Sequence, residues 1–479
     1  MTEAQVTVAF DALDYGSDQR FAAAHYRFYG DGHGWRVFRD GRLVLELGPG
    51  YRLLAARQCG VCSTDLARHH LPFPLPQVIG HEVLAVDDRG RRYVIEINAS
   101  HAARGVAADC AFCRAGLATH CPDRRTIGIH DLPGGFGRWL LAPVHACLEV
   151  PAAVPDATAV LVEPFAAALH AARSVAPHAG ERIAVLGPRR LGLLVVAAFA
   201  AERRRRGVQF ELTALLRDSA LAERAREFGA DAVVQVDDRA SGLGDRAFDV
   251  VVDTTGNPDA LPVAVRLARR EVHLKSTHGR PAAGLRHLTE LVVDELALAP
   301  LRQDHPVWTG PATGARPRVA WLPETAPPAW LVAAADVRRG DTAKLAASFA
   351  ADRDGLPRAD VAVAASAAQV DAAIRPIVGA EVALVRPRGS ILLVPELAHD
   401  ASPLLAAVAG RGLVLGSSRC GDFAAALDLL AHDALLRRLG ERLVTHRFAA
   451  ADLPAAFATA RTRACIKAVV EHPTTGGRS

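Results

Sequence analysis

Two residues early in the chain have the types and spacing to hold a metal ion that does chemistry. Within CGVCSTDLARHHLPFPLPQVIGHE, Cys62 and His81 offer a thiolate and an imidazole, donors that zinc prefers. A catalytic zinc takes three protein ligands and keeps one position open, and Glu163, in VEPFAAALHAA, could supply a carboxylate as the third. The ordinary alternatives are a buried thiol at Cys62 and, for Glu163 before Pro164, an acid at the positive end of a helix. Five of the eight cysteines fall between 59 and 121. In a reducing compartment such thiols serve as metal ligands or buried groups rather than disulfides.

A second constellation suits a nucleotide. A pyrophosphate site needs a strand, a glycine-rich turn and a helix start, so that backbone N–H groups can approach the phosphates. In ERIAVLGPRRLGLLVV, Gly187 and Gly192 hold the outer positions of such a turn, and Arg189 stands where the middle glycine belongs. Arg189 either folds away to pair with phosphate or weakens binding. The second strand ends ALLRDS, with Leu216 and then Arg217 where a carboxylate would select NAD. Arginine there suits a 2′-phosphate, which puts NADP ahead of NAD; an exposed turn arginine is the alternative.

The elements that must position these groups change texture along the chain. Residues 1–155 read as short strands separated by turns, an all-β module. From about 156, strand and helix alternate as in a doubly wound α/β sheet, spanning 156–301. Residues 300–330 carry many prolines and no clean period, and read as a linker or irregular loop. Beyond it, ADVAVAASAAQVDAAIRPI echoes FDVVVDTTGNPDALPVAVRL, so the segment 302–412 is expected to repeat half of the nucleotide-binding domain. Residues 413–479 finish the cofactor domain and return to the β module, ending in the strand CIKAVVEH.

Composition narrows the function classes. The formal charge is only +4, from 56 basic and 52 acidic side chains, with no basic face interleaved with aromatics, so nucleic acid is a poor partner. The run Arg203–Arg206 reads as a solvated helix end. No apolar run is long enough for a membrane span, and MTEAQVTVAFDALDYG lacks the features of a signal peptide. A cytoplasmic protein is expected.

The order CGVCSTD, then P-x-x-x-G-H-E, then VEPFAAALHA resembles the medium-chain, zinc-dependent alcohol dehydrogenase family, the last segment resembling its polyol and sugar dehydrogenase branch. The likeness continues through IGIHDLPGGFGRWLLAP, LKST, GSSRCG and IKAVV. It implies a GroES-like β-barrel catalytic domain, a Rossmann domain and an inserted α/β extension. By that resemblance Cys62, His81 and Glu163 ligate the catalytic zinc, and Glu82 is an acid beside it that can enter the shell transiently. Thr64 passes the alcohol proton outward, Asp65 orients His81, and Cys59 is structural. Lys467 falls where family members carry a basic residue near the cofactor.

Cys110, Cys113 and Cys121 resemble the family's structural zinc lobe, whose first cysteine is missing here. His101, three residues after Asn98, is proposed as the replacement, with Asp109 as competitor. The resemblance implies NAD(P)-dependent, reversible oxidation of a secondary alcohol, polyol or sugar, with a small alcohol or carbonyl as substrate. It also implies a homodimer or homotetramer, because relatives pair subunits through the edge strand around LVLGSS. Two other readings compete: a reductase of an activated carbonyl on the same scaffold, and a zinc protein whose degenerate cofactor turn has ended its dehydrogenase activity.

Overall fold

Alternation of apolar and polar side chains builds the first module. In β2 (Phe21–Gly30), Ala24, Tyr26 and Phe28 are buried while Ala23, His25 and Arg27 face water. With β1 (Val6–Tyr15), β3 (Trp35–Arg39) and β4 (Arg42–Leu47) it makes a four-stranded antiparallel meander. Phe10, Tyr26 and Phe28 pack there ring against ring. The computed structural model describes residues 6–107, 110–276, 279–303, 316–352, 356–376 and 383–473.

A second sheet follows, with β5 (Tyr51–Gly60), β6 (Glu82–Val86), β7 (Arg92–Ile95), β10 (Trp139–Pro143) and β11 (Cys147–Glu149). Between them the short antiparallel pair β8 (Asn98–Ala99) and β9 (Arg125–Thr126) carries the cysteine-rich lobe. The chain divides into two compact units, Met1–Ala166 with Gly421–Ser479, and Ala167–Cys420.

The second unit is built on one eleven-stranded sheet. Its strands are β12 (Arg182–Leu186), β13 (Glu211–Leu216), β14 (Ala232–Gln235), β15 (Phe248–Asp253), β16 (Ala268–Leu274) and β17 (Ala297–Pro300). Then come β18 (Arg318–Trp321), β19 (Asp336–Arg339), β20 (Ala359–Ala364), β21 (Val385–Leu393) and β22 (Val414–Ser417). The order across the sheet is β14-β13-β12-β15-β16-β22-β17-β21-β20-β18-β19. The first six strands run parallel in the doubly wound order, with the topological switch between β12 and β15. These strands are apolar on both faces because helices cover both. Residues 192–202 of the helix Arg190–Arg206 are all buried, and Gly207 ends it in a left-handed turn.

Two expectations about this unit are corrected. Residues 300–330 are not all linker: Arg318–Trp321 forms an interior strand, too short and too close to prolines to show a period. Nor is LVLGSS at an edge, since β22 has β16 on one side and β17 on the other. After β22 the chain returns to the first unit, where β23 (Val444–Ala449) pairs β24 (Lys467–Glu471) and β24 pairs β5. Phe457, on the helix Leu453–Ala460, packs against Tyr15, Phe21 and Phe136 there.

Candidate metal and cofactor sites

Cys62 caps the helical turn Ser63–Leu66, and its N–H donates to Asp65 Oδ2 at 2.8 Å. That contact leaves Asp65 Oδ1 3.2 Å from His81 Nδ1, both side chains almost wholly buried. His81 ends the loop into β6 and Glu82 begins the strand, opposite Gly60 of β5. Gly60 is required at that place: a Cβ there would come within 2.2 Å of Glu82 Oε2. One donor atom each from Cys62, His81 and Glu82 then lies within 4.8 Å of the other two.

Asp65 Oδ1, His81 Nδ1 and Glu82 Oε2 are buried without hydrogen bonds; their contacts are the charge pairs Asp65–His81 and Glu82–Lys467. Burial opposes charge on His81, but Asp65 and Cys62 outweigh it and hold its pKa well above the ordinary imidazole value. A half-buried thiol gathered with a buried imidazole and a buried carboxylate, with a second acid behind the imidazole, fits a zinc ion with three protein ligands. Burial pushes the Cys59 thiol well above its usual pKa, with Asp65 and Glu82 adding to the effect. It is a poor thiolate and stays structural.

The structure does not bring every expected residue into this group. Glu163, half-buried on the first turn of the helix Val162–Val175, does not share the close spacing of Cys62, His81 and Glu82. Glu82 is the carboxylate grouped with Cys62 and His81. Lys467 opens β24, and its buried Nζ pairs with Glu82 and donates to Val61 O at 3.0 Å. Thr64 is half-buried on the same helical turn as Asp65.

The second metal group lies in the cysteine-rich lobe. Ser100 Oγ accepts from Ala103 N at 3.1 Å and starts the turn His101–Arg104. Gly105, at φ +67, ends it where a Cβ would strike His145. Donor atoms of His101, Cys110, Cys113 and Cys121 all lie within 4.8 Å of one another. Cys110 Sγ is 3.9 Å and His101 Nδ1 3.3 Å from Cys121 Sγ. Tetrahedral zinc with bonds of about 2.0–2.3 Å separates neighbouring donors by roughly 3.5–3.8 Å, so the group fits. His101 Nε2, 3.5 Å from Asp123 Oδ2, has an acid behind it as well. Burial pushes Cys121 up to about 12, a penalty that a bound cation removes. Asp109 lies outside the described residues.

Two metal groups on one unit and a doubly wound sheet in the other have counterparts among known proteins. Residues 48–152 match the family model of the alcohol dehydrogenase GroES-like domain. The chain belongs to the zinc-containing medium-chain alcohol dehydrogenases. It is 30% identical over 232 residues to L-threonine 3-dehydrogenase of Aeromonas salmonicida (strain A449), covering 45% of this chain and 66% of that protein. Its fold is similar to a zinc-binding dehydrogenase from Sinorhizobium meliloti 1021 bound to NADP, with TM-score 0.53 and 17% identity over 97% and 99% of the two chains. A short chain alcohol dehydrogenase from Escherichia coli CFT073 complexed with NADH gives TM-score 0.54 and 14% identity, again over 97% and 99%.

The glycine-rich turn after β12 keeps its outer glycines. At Gly187, φ is +73 and a Cβ would lie 2.5 Å from Thr255 Cγ2; at Gly192 it would lie 2.5 Å from Thr254 Oγ1. Arg189 caps the helix start at φ −127, ψ −112. Leu216 is buried at the end of β13, and Arg217 after it is exposed in an ion pair with Asp238. Sequence reasoning missed the residues at the neighbouring strand ends. Asp253 accepts from Thr255 N and Oγ1 at 2.9 and 2.7 Å, and burial holds its carboxyl above the usual range. Lys275 Nζ donates to Ser418 O at 2.8 Å, and His273 Nε2 lies 2.9 Å from Ser418 Oγ. The signal was available, since ligands bind at the carboxyl ends of strands beside a switch point.

Proposed function

We propose that this protein is a zinc-dependent, NAD(P)-linked dehydrogenase that oxidises a secondary alcohol, polyol or sugar hydroxyl and runs the reverse reduction. The observation that carries the reading is the Cys62–His81–Glu82 group, a half-buried thiol beside a buried imidazole and carboxylate, with Asp65 behind the imidazole. Zinc held by these residues would lower the pKa of a substrate hydroxyl or polarise the matching carbonyl, and a bound nicotinamide would supply the hydride chemistry.

The chain's own residues set the conditions. Asp65 fixes the His81 ring through Nδ1, so Nε2 is left for the metal. Lys467 holds Glu82 by charge and is held in turn by Val61 O. Thr64 is assigned the outward relay of the hydroxyl proton, and the fourth ligand of the lobe zinc is His101. Preference for NADP rests on Arg217, which follows Leu216, the residue in place of a carboxylate at the end of β13. One observation favours the non-catalytic zinc protein as second reading: Arg189 at the helix start, where a glycine would admit the pyrophosphate.

The test is a panel of secondary alcohols, polyols, hydroxy-amino acids and aldonic acids, offered to zinc-quantified protein with NADP or NAD. Reduction of either nucleotide by at least one substrate, abolished by chelation and restored by zinc, is expected. No reduction with metal bound at both groups would turn the assignment to the second reading.

A further inference from the structure

The registers of the eleven-stranded sheet repeat, residue by residue, about its middle. Arg182 of β12 faces Glu211, and Arg318 of β18 faces Asp336. Ile183 faces Val250, as Val319 faces Val361. Val250 faces Glu271, as Val361 faces Ser390, and each pairing follows a register shift just after Phe248 or Ala359. Glu271 faces Val414, as Ser390 faces Ala297. Even a side-chain contact recurs: Arg182 N donates to Asp249 Oδ2 at 2.8 Å and Arg318 N to Asp360 Oδ2 at 2.9 Å.

These correspondences make Leu298 of β17 the equivalent of Leu415 of β22. The two are opposite each other in the antiparallel contact that joins the halves, and both are fully buried. Equivalent strands that cross antiparallel at equivalent residues are the self-complementary contact of a two-fold dimer. Here both sides belong to one chain, and the last strands are exchanged. The chain runs from β16 into β17, but β17 pairs β21; it runs from β21 into β22, but β22 pairs β16.

The second half keeps the frame without the cradle. Continuing the register past β18, Pro323 stands where Gly187 stands, and the following helix, Ala329–Ala334, has six residues. Ala364 and Ala365 replace Asp253 and Thr254. That turn carries three prolines and no glycine, so it lacks the open, N–H-rich backbone that cradles a pyrophosphate.

We propose that residues 297–411 are a second, non-binding copy of the nucleotide-binding sheet that takes the place of a partner subunit, so that the chain carries its own dimer mate and is a monomer. The exchange of β17 and β22 ties the halves together, because neither half completes its sheet without a strand from the other. The face that two subunits would otherwise share is filled within one chain, and the sheet offers no matching edge to a second copy there.

Sedimentation equilibrium of the zinc-loaded full chain, with amide hydrogen exchange on the same samples, tests this and needs neither nucleotide nor substrate. The expected mass is one chain, 50.8 kDa, from low to high micromolar protein, with β17 and β22 amides protected throughout. A stable dimer would overturn the proposal. So would a monomer in which β17 and β22 exchange freely, because the internal strand pairing would then not hold.

Discussion

Asp65 ties the Cys62–His81–Glu82 group together, one carboxylate oxygen on Cys62 N and the other beside His81 Nδ1. Replacing Asp65 by Ala removes both contacts and leaves the imidazole unoriented. Zinc affinity or turnover is expected to fall about 10–100-fold, as for other second-layer partners of zinc-bound histidines. Metal counting on the dialysed variant, beside its kcat, checks this; unchanged values of both would contradict the role. A different constraint acts at Gly187, where the left-handed backbone and Thr255 both exclude a Cβ. Gly187→Ala is expected to lose about 1–2 kcal/mol of stability from the backbone alone, read by denaturant unfolding. Cys62 and His81 were legible as metal ligands because a thiol and an imidazole lie close together in the chain; the carboxylate expected with them was Glu163, whereas Glu82, read as an acid beside the metal, is the one grouped with them. The pairing of Lys467 with Glu82 was not legible, because it forms only when the last strand packs beside β5.

At the scale of elements, the cysteine-rich lobe has little secondary structure of its own: a two-residue strand pair and three turns of helix at most four residues long. Its cohesion is assigned to the metal. His101→Ala is expected to lower bound zinc by about one ion per chain and to expose residues 98–126 to proteolysis, while the Cys62 group keeps its ion. In the second unit, the helix Arg190–Arg206 buries Glu202 between Arg173 and Arg205. Burial opposes its charge, but hydrogen bonds from Arg205 and Arg173 outweigh that and hold the carboxyl below its ordinary range. A lowered folded-state pKa means stability that is present above the unfolded-state value and lost as pH falls through the folded one. The gap in stability between wild type and Glu202→Gln should therefore be full near neutral pH and shrink once pH drops below about 4.3. A gap independent of pH would contradict it. The strand β18 escaped sequence reading for a physical reason: four residues near prolines carry no period, and only their neighbours in the sheet make them a strand.

For the whole molecule, one unit carries both metal groups and the other carries a single phosphate-type turn within a doubled frame. The fold class was readable from strand–helix alternation, but the strand exchange was not. ELALAPL and LVLGSS have the same apolar character, so local pattern does not decide which of them lies beside β16. Among the described residues no helix is long and apolar enough to cross a membrane. One nucleotide is expected per chain, because the turn after β18 lacks glycines, and calorimetric stoichiometry near two would contradict that assignment.

The most direct test of the central claim is a fluorescence titration of zinc-quantified protein with NADPH and NADH. Saturable micromolar binding of NADPH, with a much weaker response to NADH, is the predicted result. Binding of NADH alone would keep the dehydrogenase and remove the role given to Arg217. Binding of neither, with zinc present at both groups, would contradict the account and leave a zinc protein whose cofactor turn is closed by Arg189.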